Sequence, residues 1–280
     1  MAKIKICLDA GHYGKYNRSP VNKAYYESEM NWKLHLLLKA ELEKYGIEVI
    51  TTRSNKAKDL ELTSRGKKAR GCDLFLSLHS NACDTESVDR VVAIYLVPDA
   101  DTTHDEKSKP IAEKLAAVVA EVMGTKDKPK TSTRLASGDR DGDGKKDDNY
   151  YGVLHGADSV CVPAVILEHS FHTNKRAADW LLIDSNLDKL AKAEAEVLAE
   201  HFGVKKTEEK KTEEKKEQFK SYKVKVTASA LNVRKGPGTK HKIVTVVHRG
   251  DVYTIVGEEN GWGRLKSGAG FISLAYTEKI

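Results

Sequence analysis

The 280-residue chain has no run of about 18 consecutive apolar residues, so the sequence predicts no membrane-spanning helix. It also has no apolar stretch near its start. Met1-Ala-Lys-Ile-Lys-Ile-Cys-Leu-Asp9 runs straight into a strand pattern, which predicts a protein made in the cytoplasm without a cleaved leader. Cysteine is scarce. Its four copies, Cys7, Cys72, Cys83 and Cys161, form no CxxC pair, which excludes a cysteine-rich zinc site and predicts reduced, mostly buried thiols. A strong charge of one sign is missing from most of the chain. Residues 1–204 carry a net charge of −2, residues 205–223 of +3 and residues 224–280 of +5. Any preference for a polyanion, nucleic acid or wall polymer, therefore belongs to the tail.

Apolar residues make up 40% of the chain, enough for a real core, and the length suits two domains. Up to about residue 204, strand and helix patterns alternate. Lys3–Leu8, Ile47–Ile50, Asp73–Leu78, Val91–Val97 and Val162–Leu167 read as strands. Between or after them, residues 29–45, 62–70, 109–123 and 188–202 read as helices, the first closed by Gly46. The alternation predicts an α/β domain over 1–204, a mostly parallel sheet covered by helices. Residues 205–220 are Lys/Glu repeats without an apolar residue before Phe219, which predicts a charged linker and not a coiled coil. Residues 221–280 carry short β-rich runs (Tyr222–Val226, Ile243–Val247, Val252–Val256) between Gly/Pro turns, which predicts a small β-barrel.

Chemistry-bearing residues gather at predicted strand ends. His12 follows Asp9-Ala-Gly11, His79 ends Ser77-Leu-His79, and Glu168 ends the apolar run Pro163-Ala-Val-Ile-Leu167. Ligands collect at that edge of an open α/β sheet, and an unpaired carboxylate is costly at the end of a buried strand. Two histidines and one carboxylate suit zinc with one position open to water. A further carboxylate at the end of a strand, Glu168, is a candidate general base for that water. On spacing alone the third ligand is either Glu27 or Glu29, both beside a helix start.

Five segments occur in order: Leu8-Asp-Ala-Gly-His12, Glu27-Ser-Glu-Met-Asn31, Leu62-Thr-Ser-Arg65, Asp73-Leu-Phe-Leu-Ser-Leu-His79-Ser-Asn81-Ala and Pro163-Ala-Val-Ile-Leu-Glu168. As an ordered set they resemble the zinc-dependent N-acetylmuramoyl-L-alanine amidases of the third amidase family, found in bacterial autolysins and phage endolysins. The resemblance spans about residues 3–203. It implies His12, Glu27 and His79 as zinc ligands, because the family's glutamate stands four residues before an asparagine, as Glu27 does before Asn31. It implies Glu168 as the catalytic glutamate. It implies hydrolysis of the amide between N-acetylmuramic acid and the L-alanine of the stem peptide, with peptidoglycan as partner, no nucleic acid and no membrane insertion. With no leader, access to the wall is expected through a holin-type pore.

His169 and His172 depart from the family, which has small or apolar residues after the glutamate. Contact with substrate and a structural place are both open for them. Asp9 and Asn81 are candidates for orienting the ligand histidines. Ala230-Leu-Asn-Val-Arg234-Lys-Gly-Pro-Gly238, Gly261-Trp262-Gly and Gly270-Phe271-Ile resemble a bacterial SH3 domain, with Phe271 where tryptophan is usual. That implies a wall-targeting unit; Tyr253, Trp262 and Tyr276 are candidates for contact or for core.

Asp139, Asp141, Asp143 and Asp147, with Gly144 at the sixth place, repeat the start of an EF-hand loop and mark a candidate calcium site. Tyr150 stands where that loop requires a twelfth-position glutamate. Two rival functions remain at this stage. One is a non-catalytic wall-binding protein, which the presence of all four site residues opposes. The other is a zinc peptidase cutting within the stem peptide.

Overall fold

The computed structural model describes residues 3–98, 103–206, 219 and 221–280. The chain divides into two compact units, Met1–Glu209 and Lys210–Ile280. Most of the expected linker, 207–218 and 220, lies outside the described residues.

The first unit holds β1 (Lys5–Ala10), α1 (Glu27–Glu43), β2 (Glu48–Thr51), α2 (Leu62–Lys67), β3 (Leu74–Asn81), β4 (Val92–Tyr95), α3 (Thr103–Met123), β5 (Lys130–Ser132), α4 (Gly152–Asp158), β6 (Ala164–Phe171), α5 (Lys175–Leu181) and α6 (Asp184–His201). Its strands order as β2-β1-β3-β6-β4-β5. The first four run parallel, β4 runs antiparallel to β6, and β5 runs parallel to β4. The fold is thus mixed α/β with a mostly parallel sheet.

Strand alternation sends side chains to two cores. Ile6 and Leu8, then Leu74, Leu76 and Leu78, then Val165 and Leu167 pack with Leu34, Leu38 and Leu42 of α1, Leu115 and Val119 of α3, and Leu187, Leu190 and Leu198 of α6. The intervening Cys7, Phe75 and Ile166 pack on the other face with Val153, Leu154 and Ala157 of α4. By the same parity Asp9, His79 and Glu168 belong to this second face, and β3 and β6 pair His79 directly with Glu168. The two strands thereby bring a histidine and a carboxylate side by side, although β3 continues to Asn81 and β6 to Phe171, beyond the ends expected at these residues.

On that face, α2 and α4 touch through glycines. A Cβ on Gly66 would lie 2.1 Å from the carbonyl oxygen of Val153, and one on Gly156 would lie 2.2 Å from that of Thr63. Only bare backbone allows this approach, so α4 with its two glycines is set by packing and not by propensity. No apolar period marks it, which is why the sequence pattern misses it. α1 begins two residues before its apolar period does, because Glu27 and Ser28 are polar yet buried.

The second unit is an antiparallel sheet. β7 (Tyr222–Val226), β8 (Ala230–Arg234), β9 (Ile243–His248), β10 (Val252–Glu259), β11 (Trp262–Leu265), β12 (Phe271–Ser273) and β13 (Thr277–Lys279) order as β13-β7-β10-β11-β12-β8-β9. Val224, Val226, Leu231, Val233, Val247, Ile255, Leu265 and Ile272 form its core.

Candidate metal centre and catalytic carboxylate

The chain leaves β1 through Ala10 and Gly11. A Cβ on Gly11 would fall 2.2 Å from the His79 imidazole, so only glycine lets that ring lie against the turn. His12 adopts φ 60°, a left-handed conformation that a histidine holds only when its surroundings impose it. Two buried arginines impose it. Arg53 donates to the carbonyl of Ala10 at 2.7 Å. Arg65 donates to the carbonyls of Ala10 and His12 at 3.3 and 3.2 Å, and to Asp59 at 2.7 Å. Below them Asp9 is fully buried and accepts hydrogen bonds from Thr52 and Ser77. It anchors the end of β1 instead of touching a ligand ring.

Glu27, the first residue of α1, reaches the sheet edge and lies between both histidines. His12 Nε2 is 3.1 Å from its Oε2, and His79 Nδ1 is 2.9 Å from its Oε1. The Ser80 amide donates to Oε1 at 3.0 Å, and Asn17 Nδ2 donates to Oε2 at 2.7 Å. Burial alone would push the Glu27 carboxyl up. The hydrogen bonds and charge of His12 and His79 overcome this and hold it well below the ordinary carboxylate range. Glu29 points elsewhere and pairs with Lys56 at 2.8 Å.

Ligand atoms of His12, Glu27 and His79 lie within 4.8 Å of one another. Two imidazole nitrogens and a carboxylate oxygen form a donor set that zinc accepts. Beside it stands Glu168, whose Oε2 is buried and meets no hydrogen-bond partner among the described residues. Burial and, secondarily, the negative Glu27 raise the Glu168 carboxyl well above its ordinary value. A cation at the three donors would offset that cost, so the residues present fit the metal.

Behind the site, β6 carries one more residue than β3 between the pairs His79–Glu168 and Asn81–Phe171. Ser170 sits in this bulge at φ 61° and donates to Asp89 at 2.8 Å. His169 is fully buried, with Nδ1 donating to the His79 carbonyl at 2.9 Å and Nε2 3.0 Å from Glu194 of α6. His172 is buried against Ser80, its Nδ1 3.0 Å from the Ser80 hydroxyl, which also accepts from Tyr25 at 2.7 Å. Burial pushes His172 down toward its neutral form. Both histidines therefore brace strand ends. Asn81 accepts a bond from the amide of Ala82. The sequence reading missed Asn17, which sits at φ 50° with Nδ2 3.1 Å from His12 Nε2. A polar residue in an aperiodic loop leaves no pattern to find.

In the aspartate loop the four carboxylates do not converge as expected. Ligand atoms of Asp139 and Asp141 approach those of Asp148, while Asp143 and Asp147 stand outside that group. The loop closes on its own amides instead. Asp139 accepts from Gly142 and Gly144, Asp141 from Asp143, and Asp143 from Lys145. In the second unit, Trp262 and Tyr276 line a cleft of about 400 Å³ with Asn232, Arg234 and Thr239. Tyr253 packs partly against the core.

The family described as N-acetylmuramoyl-L-alanine amidase matches residues 6–200, and that described as bacterial SH3 domain matches residues 229–278. The N-acetylmuramoyl-L-alanine amidase LytC of Bacillus subtilis (strain 168) is 28% identical over 191 residues, which cover 67% of this chain and 33% of LytC. The chain thus spans about a third of the length of that curated relative. Among solved structures, the catalytic domain of CwlV, an N-acetylmuramoyl-L-alanine amidase from Bacillus (Paenibacillus) polymyxa var. colistinus, aligns with a TM-score of 0.57 at 22% identity, covering 72% of this chain and 99% of that one. Cwp6 from Clostridium difficile aligns at 0.59 and 24% identity, covering 71% of this chain and 29% of its own. At these identities the structures speak for the fold.

Proposed function

The chain belongs to the N-acetylmuramoyl-L-alanine amidase family, and from that premise we propose that it hydrolyses the amide joining N-acetylmuramic acid to the L-alanine of the peptidoglycan stem peptide. The reading is carried by one observation. Glu168, with a buried carboxylate oxygen that meets no partner among the described residues, is the strand neighbour of His79 beside three convergent metal donors.

His12, Glu27 and His79 would hold a zinc ion. When bound, zinc supplies a Lewis acid that polarises a carbonyl and makes water nucleophilic near neutral pH. Everything else falls to the chain's own groups. Glu168 accepts the proton of the attacking water at its carboxylate as the carbon–oxygen bond forms. It then returns that proton to the alanine nitrogen as the carbon–nitrogen bond breaks, so the products are a lactyl carboxylate and a new amino terminus. Asn17 and the Ser80 amide hold Glu27 in place, and the Arg53/Arg65 pair holds the His12 backbone. The SH3-type unit tethers the enzyme to the wall and raises local substrate concentration.

Mass spectrometry of digested peptidoglycan tests this. Free lactyl carboxylates with new L-alanine amino termini are expected from the wild type and not from Glu168→Ala. Cuts inside the stem peptide would make it a peptidase, and intact wall with wild type would leave only a binding role.

A further inference from the structure

Beside the metal donors lies a cleft of about 390 Å³, and its walls are chemically unlike each other. One wall is aromatic. The His12 ring stacks on Tyr16 with centroids 5.0 Å apart and planes 17° apart, and Tyr16 stacks on Tyr13 at 5.9 Å and 24°. Three near-parallel rings thus step outward from the site, and the two tyrosines are 38% and 48% exposed. Leu62 and Val153 add aliphatic surface to the lining. At the rim, the Asp59 side chain is 56% exposed.

The tyrosines are held before any ligand arrives. The Tyr16 amide donates to the Ser28 hydroxyl at 2.8 Å, and that buried hydroxyl faces the carbonyls of Gly14 and Tyr16 at 3.0 and 3.2 Å. The Gly14 amide donates to the Lys56 carbonyl at 2.9 Å. Two adjacent exposed rings on so fixed a loop offer a ligand a preformed aromatic surface. Rigid rings also lose little entropy on binding.

The lining selects the occupant. The cation at the floor, Arg65, is already spent on Asp59 and on the carbonyls of Leu60, Ala10 and His12. What remains is aromatic face, aliphatic wall and an acceptor carboxylate. With Arg65 and Asp59 paired to each other, the cation among the lining residues is not free to receive the carboxylates of a peptide. A neutral pyranose ring presents C–H groups to the negative aromatic faces and hydroxyls to the acceptor. Resting on the amidase reading above, we propose that Tyr13 and Tyr16 form a saccharide platform that seats the pyranose of N-acetylmuramic acid against the cleft beside His12.

The probe is peptide-free N-acetylglucosaminyl-N-acetylmuramic acid, titrated into the metal-free full chain with tyrosine ring resonances followed by NMR. The Tyr13 and Tyr16 signals are expected to shift on binding. Tyr13→Ala, which removes the ring stacked on Tyr16 and leaves the His12–Tyr16 stack in place, is expected to weaken binding roughly three- to tenfold, while Tyr13→Trp retains it. A second arm compares kcat/KM on a muropeptide and on the same peptide carrying only a lactyl group. The ratio is expected to fall by the same factor in Tyr13→Ala and to recover in Tyr13→Trp. Equal disaccharide affinity in wild type and Tyr13→Ala, unmoved ring signals, or an unchanged ratio would overturn the platform. A wild type that binds the disaccharide through these rings but cuts neither substrate would sink the amidase reading and leave the platform standing.

Discussion

At the scale of single residues, the site sets two carboxylates against each other. Glu27 accepts from two histidines, an amide and an asparagine, whereas Glu168 keeps a buried oxygen without a partner among the described residues. One is held in its charged form, and on the proposed reading the other exchanges a proton. Glu168→Gln is therefore expected to lower kcat by about 10²–10⁴ while bound zinc, measured by elemental mass spectrometry, stays the same. In metal-free protein the Glu168 carboxyl, raised by burial and by Glu27, is expected to titrate above the ordinary carboxylate range when followed in ¹³C spectra. A cation held by the three donors is expected to lower it again by its charge. The sign for stability follows from the raised value. The contribution of Glu168 is present below its unfolded pKa and is lost as pH rises through the folded one. Metal-free Glu168→Gln is accordingly expected to melt above the metal-free wild type at neutral pH. An equal or lower melting temperature would contradict the assigned burial cost.

At the scale of elements, the site depends on β1, β3 and β6 ending at one edge and on α1 starting there. The α2–α4 contact supports the second face through Gly66 and Gly156, where added carbons would meet backbone at 2.1 and 2.2 Å. Gly156→Ala is expected to destabilise the fold by about 1–3 kcal/mol, as overpacking does. The measurement is a lower urea midpoint with an unchanged slope; a slope change would mean an altered unfolded state instead. The bulge at Ser170 has a related effect, since the extra residue turns His169 under the end of β3, where it braces the His79 carbonyl.

At the scale of the whole molecule, each unit carries its own core. The catalytic candidates all lie in the first, and the excess positive charge of the tail lies in the second. A chain ending at residue 206 is expected to cleave soluble muropeptides at a rate close to that of the full chain. It should sediment far less with intact cell walls, by at least about tenfold if tethering acts through effective concentration. Equal sedimentation would remove the second unit from the targeting role.

Strands β1 to β4 and β6 and the cores of the long helices were legible in the sequence, because burial imposes a period of 2 or 3.6 on neighbours along the chain, whereas β5 was not, and β3 and β6 run on past His79 and Glu168, which were expected to end them. The choice of Glu27 over Glu29 was legible only through family resemblance, and the geometry places Glu27 between the histidines while Glu29 meets Lys56. Asn17, the Ser80–His172–Tyr25 network, the His169 brace and the glycine contact of α2 with α4 came only from the tertiary structure. So did the regrouping of the aspartate loop around Asp148. These are contacts between residues far apart in the chain or within aperiodic loops. Local pattern records which face a residue must bury, but not which distant group it will meet there.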